Sequence, residues 1–197
     1  VNYMECLMKT KELCRELGIR LEVLFCKSDS LVTRARNNLI AKAMSDPDMT
    51  HMFFIDNDIT WVPTDILKLL IADKPIIGGI YPFKKYNLEK LVPTEEQTNQ
   101  VQDMIDIKNN SHLYEINDTD AIEMNLLTYN VNYISKEVKI KNNLTQVKHV
   151  ATGFMMIQRN VIEKMTKSYS STKYTDDINF LTTDENNYAY ALFDCGV

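Results

Sequence analysis

The sequence predicts an α/β fold: a mostly parallel central sheet flanked by helices on both sides. Three observations point there. Met52-Phe53-Phe54-Ile55 is a short, wholly apolar run of the kind found in a strand covered on both faces. Pro75-Ile76-Ile77-Gly78-Gly79-Ile80-Tyr81 is a second such run. Between and before them lie segments with helical spacing, so strands and helices alternate as in doubly wound sheets with right-handed crossovers.

The elements follow in order. Over residues 2–17, Tyr3, Leu7, Cys14 and Leu17 fall near helical spacing, and Gly18 is placed to stop the helix. Residues 20–26 read as a strand. Asp29 or Ser30 can cap a second helix in which Leu31, Ala35, Leu39 and Ala43 recur on one face, running out near Asp46-Pro47-Asp48. Pro63 suits the first turn of a third helix with Ile66, Leu67, Leu70 and Ile71 on its apolar side. Residues 84–146 are rich in Lys, Asn, Asp, Glu and Gln, and read as a polar insertion with a few edge strands and a loop at 94–112. Ordered structure is expected again at 147–151 and 152–157, with a short helix from Asn160 to Met165.

Composition bounds the possibilities. The chain has 197 residues, 45% hydrophobic and 25% charged, which suits a single domain with a sizeable core. A net charge of −5 argues against a broad nucleic-acid surface. No apolar run approaches the roughly 20 residues of a membrane span, and no signal peptide opens the chain. Cys6, Cys14, Cys26 and Cys195 form no CxxC pair, so reduced thiols in a cytoplasmic protein are expected. Glycosylation triplets such as Asn143-Leu144-Thr145 carry little weight in an Asn-rich chain. The chain opens on Val1 with no initiator Met, and Leu192–Val197 read like a domain interior, so further elements are expected beyond both ends.

The chemistry concentrates after the first apolar strand, in Asp56-Asn57-Asp58-Ile59-Thr60-Trp61. Ligands of open α/β sheets bind beyond the carboxyl ends of strands. Were the strand to continue, alternation would point Asp56 and Asp58 the same way. Two like charges about 4 Å apart repel by roughly 4 kcal/mol at an effective dielectric of 20. A hard divalent cation removes that repulsion and can also carry phosphate oxygens. The plainer reading is a polar turn after a strand.

Ser30-Leu31-Val32-Thr33-Arg34-Ala35-Arg36-Asn37-Asn38 is the second candidate. Arg34, Asn37 and Asn38 can share one polar face, where arginine forks could meet a diphosphate or simply face solvent. Gly78-Gly79 and Thr152-Gly153 could admit a ligand or only a neighbouring backbone or ring. Trp61 could stack on a sugar or cover the sheet edge. His51 and His149 read as structural.

Three blocks, SLVTRARNNLIAKAM, FFIDNDITWVPTDILKLLIADKPIIGGIYPFK and VATGFMMIQRNVIEKM, occur in this order. Together they resemble the GT-A glycosyltransferases of the DxD type found in large DNA viruses (chlorella viruses among them), phages and bacteria. The likeness covers residues 1–86 and 147–167. It implies a metal-dependent enzyme moving a sugar from a nucleotide sugar, UDP- or GDP-linked, to a glycan or protein acceptor, in a cytoplasm of viral or bacterial origin. It divides the chain into a nucleotide-sugar-binding half (1–83), an insertion (84–146) and an acceptor-side half (147–197). By the resemblance, Asp58 coordinates Mn²⁺ or Mg²⁺, Asp56 holds the ribose or a metal-bound water, and Asn57 supports the turn. Arg34, Arg36 and Asn37 lie near the diphosphate. Gly79, Tyr81, Trp61, Thr152 and Gly153 border the sugar and acceptor. The first strand of such enzymes precedes this chain, and their catalytic base is expected beyond Val197, since Asp184-Glu185 lies in unsuitable surroundings.

Two alternatives remain open at this point. Asp56, Asp58 and Thr60 also match the first motif of haloacid-dehalogenase-type phosphatases, with Asp56 as nucleophile, Asp58 as general acid and Mg²⁺ as partner. That family carries the motif on its first strand, and no convincing later Lys or paired-Asp motif follows here. Asp176-Asp177 has no strand before it. A non-catalytic sugar-nucleotide-binding module is the third class.

Overall fold

The computed structural model describes residues 2–27, 29–91 and 123–193. The expected loop at 94–112 lies outside them. The chain forms two compact units, Val1–Gly79 with Val150–Val197, and Ile80–His149.

The first unit is a mixed α/β body. It contains helices α1 (Asn2–Glu16), α2 (Val32–Met44), α3 (Pro63–Ile71) and α4 (Arg159–Ser168). Its strands are β1 (His51–Ile55), β2 (Ile76–Gly78) and β5 (Phe154–Gln158); β3 and β4 belong to the second unit. Gly18 ends α1 with φ +69°, and the Ile19 N–H reaches back to the Cys14 carbonyl at 2.8 Å. That geometry suits glycine because a side chain is strained there. Pro63 opens α3 as expected, and the Asp65 carboxylate accepts the Val62 N–H at 3.0 Å.

The sheet differs from the expected parallel one. Its order is β1-β5-β2, and β5 runs antiparallel to both neighbours. Strands β1 and β2 therefore share a direction, with α3 between them in sequence, but β5 lies between them in space. The two apolar runs behind that expectation are the outer strands here: burial alternates along β1, and Ile76 of β2 is exposed. The run buried throughout is the central one, Phe154, Met155, Met156 and Ile157. Apolar character alone therefore fixes neither a strand's place in the sheet nor its direction.

Two further expectations are corrected. Residues 20–26 form no strand. In α2 the buried face is Asn37, Asn38, Ile40, Ala41 and Met44, while the expected stripe of Leu31, Ala35, Leu39 and Ala43 stays exposed or only part-buried. The main core gathers Ile40, Met44, Met52, Phe54, Met155, Ile157 and Ile162 between α2, the sheet and α4. Arg159 joins these layers. Its guanidinium donates to the Met44 and Asp46 carbonyls at 3.1 and 2.7 Å, where α2 ends. A cation there also complements the helix dipole.

In the second unit β3 (Asn132–Tyr133) pairs antiparallel with β4 (Val147–His149), and Pro82 bridges Tyr129. Among the described residues no helix is long and apolar enough to cross a membrane.

Candidate functional site

Strand β1 ends at Ile55, and the chain turns at once. The Asp56 N–H extends the ladder by one bond, to the Gly153 carbonyl at 2.8 Å. The Ile59 N–H then bonds the Asp56 carbonyl at 3.1 Å, closing a turn that presents Asn57 and Asp58. Asp56, Asn57 and Asp58 are all exposed. The strand alternation considered for Asp56 and Asp58 therefore does not apply, because the polar residues leave the extended conformation.

Helix α2 supplies the partner. Arg36 Nη2 donates to Asp56 Oδ1 at 3.1 Å. The arginine side chain is 17% exposed and the carboxylate 48%, so the arginine's surroundings set the geometry of the pair. Those surroundings are aromatic: the guanidinium carbon lies 5.8 Å from the Phe54 ring centre and 5.8 Å from that of Phe193. The two rings meet edge to face at 5.4 Å.

Arg34 faces elsewhere. Its Nε and Nη2 donate to the two oxygens of Asp29 at 3.0 and 2.8 Å. The Asp29 side chain is only 3% exposed, and its hydrogen bonds from Arg34 hold its carboxyl below the usual carboxylate range. Asp29 also accepts the Leu31 N–H at 3.0 Å, so it organises the approach to α2 without capping the helix proper.

Asn37 and Asn38 turn inward. Asn37 Nδ2 donates to the Phe193 carbonyl at 3.3 Å, and its Oδ1 accepts the Phe193 N–H at 2.8 Å. Asn38 is fully buried, donates to Asp176 at 3.4 Å and accepts a short bond from the Tyr174 hydroxyl. Asp176 in turn accepts the Phe180 and Leu181 N–H groups at 2.6 and 2.9 Å. Burial, and secondarily Asp176, pushes the Tyr174 hydroxyl up to about 12. Sequence reasoning missed Phe193 and Tyr174, and it weighed Asp176 only as a candidate phosphatase residue. One signal was available: two consecutive asparagines inside a helix are poor helix formers and call for a specific partner.

Trp61 lies inside the first unit. It is 8% exposed, its indole N–H donates to the Thr10 hydroxyl at 2.8 Å, and its ring contacts Tyr3 and Phe154. Burial raises the Tyr3 hydroxyl pKa, and the nearby Asp56 charge adds to it.

Gly78 and Gly79 make room for β5. A Cβ on Gly79 would sit 2.6 Å from Phe154 Cδ1, and one on Gly78 would sit 2.6 Å from Val150 Cγ1. Thr152 and the buried Gly153 form the turn into β5 beside Asp56. Tyr81 belongs to the second unit, where its carbonyl accepts the Asn130 N–H at 3.1 Å. Glu185 binds the Thr182 N–H at 2.8 Å and pairs with Lys42 at 3.4 Å.

Among the described residues no three His, Cys, Asp or Glu converge as a ready metal cage. The donor set at Asp56-Asn57-Asp58 is nevertheless all oxygen, exposed and at a strand's end. That suits a hard cation which takes its remaining ligands from water and a bound diphosphate. In comparison with known proteins, the chain matches no family profile, no curated protein and no solved structure.

Proposed function

We propose that this chain is a metal-dependent glycosyltransferase of GT-A type, taking a sugar from a UDP- or GDP-linked donor to a glycan or protein acceptor. The observation that carries this reading is the Arg36–Asp56 pair at the exposed end of β1, next to Asn57 and Asp58. A cationic fork and two carboxylates then stand at one sheet edge, which is the combination a cation–diphosphate ligand requires. The ordered likeness of the three sequence blocks supports it as well.

In this reading Asp58 and Asp56 would hold Mn²⁺ or Mg²⁺, and the ion would supply Lewis acidity toward a nucleoside-diphosphate leaving group. Arg36, beside Asp56, would offer the rest of its planar fork to a phosphate oxygen. Asn57 supports the turn, and the Gly153 carbonyl holds the Asp56 backbone still. Arg34 contributes indirectly, by fixing Asp29 and the start of α2.

The test is calorimetric titration of UDP, GDP and inorganic phosphate, each with Mn²⁺ or with EDTA, against wild type and Asp58→Ala. Metal-dependent binding of one nucleoside diphosphate is expected, weakened more than about tenfold in Asp58→Ala, because even outer partners of a metal site cost ~10–100-fold. If a well-folded chain binds neither nucleotide, the proposal fails. Phosphate binding alone would turn attention to a phosphatase, with Asp56 as nucleophile.

A further inference from the structure

The Arg36–Asp56 pair does not hold itself. Asp56 is about half exposed, and a partly exposed ion pair contributes little by itself to holding one geometry. What restrains Arg36 is the corner formed by Phe54 and Phe193. Each ring centre lies 5.8 Å from the guanidinium, within the range where an aromatic face attracts a cation. Phe54 is anchored by β1 and is buried. Phe193 lies outside every helix and strand, so something else must fix it.

Asn37 does so. It is 5% exposed and uses both ends of its amide on the Phe193 peptide, accepting the N–H at 2.8 Å and donating to the carbonyl at 3.3 Å. This is the pairing one strand residue offers another, delivered by a side chain from a helix. A buried amide is costly unless both ends are satisfied, and here both are, by one residue. The order of contacts is continuous: Asn37 to the Phe193 backbone, the Phe193 ring to Arg36, Arg36 to Asp56.

We infer that Phe193 is a positioning residue that holds the Arg36 guanidinium on Asp56, and that Asn37 acts on the site by fixing Phe193. The relevance to donor binding rests on the glycosyltransferase reading; the positioning itself does not. Asn37, expected at the diphosphate, thereby acts on it only through two other residues, Phe193 and Arg36.

The experiment separates these two levels. Arginine side-chain ¹⁵N resonances are recorded for the full chain as wild type, Phe193→Leu, Phe193→Tyr and Asn37→Ala, with Arg159 as internal reference because three backbone carbonyls hold its guanidinium. Slow guanidinium rotation at Arg36 is expected in wild type and Phe193→Tyr, and fast rotation in Phe193→Leu and Asn37→Ala, with Arg159 unchanged throughout. Mn²⁺–nucleoside diphosphate affinity should fall about twofold to fivefold in Phe193→Leu and recover in Phe193→Tyr, as expected for one partly exposed cation–ring contact. Arg36 still slow in Phe193→Leu overturns the inference. Loss of the Arg159 signal in that variant also overturns it, by showing that Phe193 serves the fold. A rotational change without nucleotide binding in any variant leaves the positioning intact and removes the transferase reading.

Discussion

The Trp61 indole N–H donates to the Thr10 hydroxyl at 2.8 Å, and that hydroxyl donates onward to the Cys6 carbonyl at 2.8 Å. Thr10 is 1% exposed, so the loop that follows Asp56-Asn57-Asp58 is tied to the buried side of α1 by a bond water cannot replace. Tyr3, on the same helix, packs edge-on against Trp61 at 5.2 Å. The exposed polar turn thus stands on a fixed base.

Removing the N–H while keeping a ring should expose that dependence. Trp61→Phe leaves the buried Thr10 oxygen without its donor and is expected to lower stability by about 1–3 kcal/mol. Thr10→Val combined with Trp61→Phe should cost less than the sum of the single changes, because both partners are then gone. Denaturant unfolding of the four proteins measures the coupling, and strict additivity would show that the bond contributes nothing.

Arg36 competes with any cation for Asp56. Arg36→Met is therefore expected to raise the affinity for Mn²⁺ alone by about twofold to fivefold, the scale of a partly exposed ion pair. The same change should weaken binding of the Mn²⁺–nucleoside diphosphate, since the phosphate loses its fork. Opposite signs in two calorimetric titrations are the expected signature. Equal signs would show that Arg36 meets only one of the two.

Gly79→Ala should destabilise the first unit by about 1–3 kcal/mol, the cost of overpacking. Its new Cβ would lie 2.6 Å from the Phe154 ring, which is itself held by Phe53 and Trp61. Gly79→Ala with Phe154→Leu should recover part of that loss in thermal unfolding, as the ring is what the methyl meets. No recovery would place the strain in the backbone.

Alkaline pH should find Tyr174. Its folded pKa is raised, to about 12 from an ordinary 10.0, so the native state holds this proton more tightly than the unfolded chain. The resulting stability is complete below pH 10 and is lost as pH rises through 10 to about 12. Tyr174→Phe removes the titrating group. The difference in unfolding free energy between wild type and Tyr174→Phe is expected to be flat below pH 10 and to shrink above it. A difference that stays flat to pH 12 would contradict the shift.

Much of the layout was legible. Helices α1, α2, α3 and α4 and strands β1, β2 and β5 lie where apolar spacing, Gly18 and Pro63 place them, with boundaries moved by a few residues. The Asp56-Asn57-Asp58 segment was legible as polar residues at a strand's end, but sequence left a continued strand and a turn both open, and the Ile59 N–H bond to the Asp56 carbonyl decided for the turn. Residues 20–26 show the limit of the method. Leu21, Val23 and Cys26 suit a strand, yet a strand exists only when a neighbour completes its ladder, and the described residues offer none.

Local sequence thus determined which segments of this protein are helical, which are apolar enough to join the sheet, and where the carboxylates emerge. Those properties depend on neighbours within a few positions. Tertiary structure alone decided that β5 enters antiparallel between β1 and β2, that Asn37 and Asn38 face inward, and that Arg36 rather than Arg34 meets Asp56. Most of these depend on a partner far along the chain: Phe154 for the ladder, Asp176 and Phe193 for the asparagines, Asp56 and Phe193 for Arg36; only Arg34 turned to a near neighbour, Asp29. Hydrophobic spacing marks where an element lies; it carries no record of which of its faces a distant residue will cover, and in α2 that face includes Asn37 and Asn38.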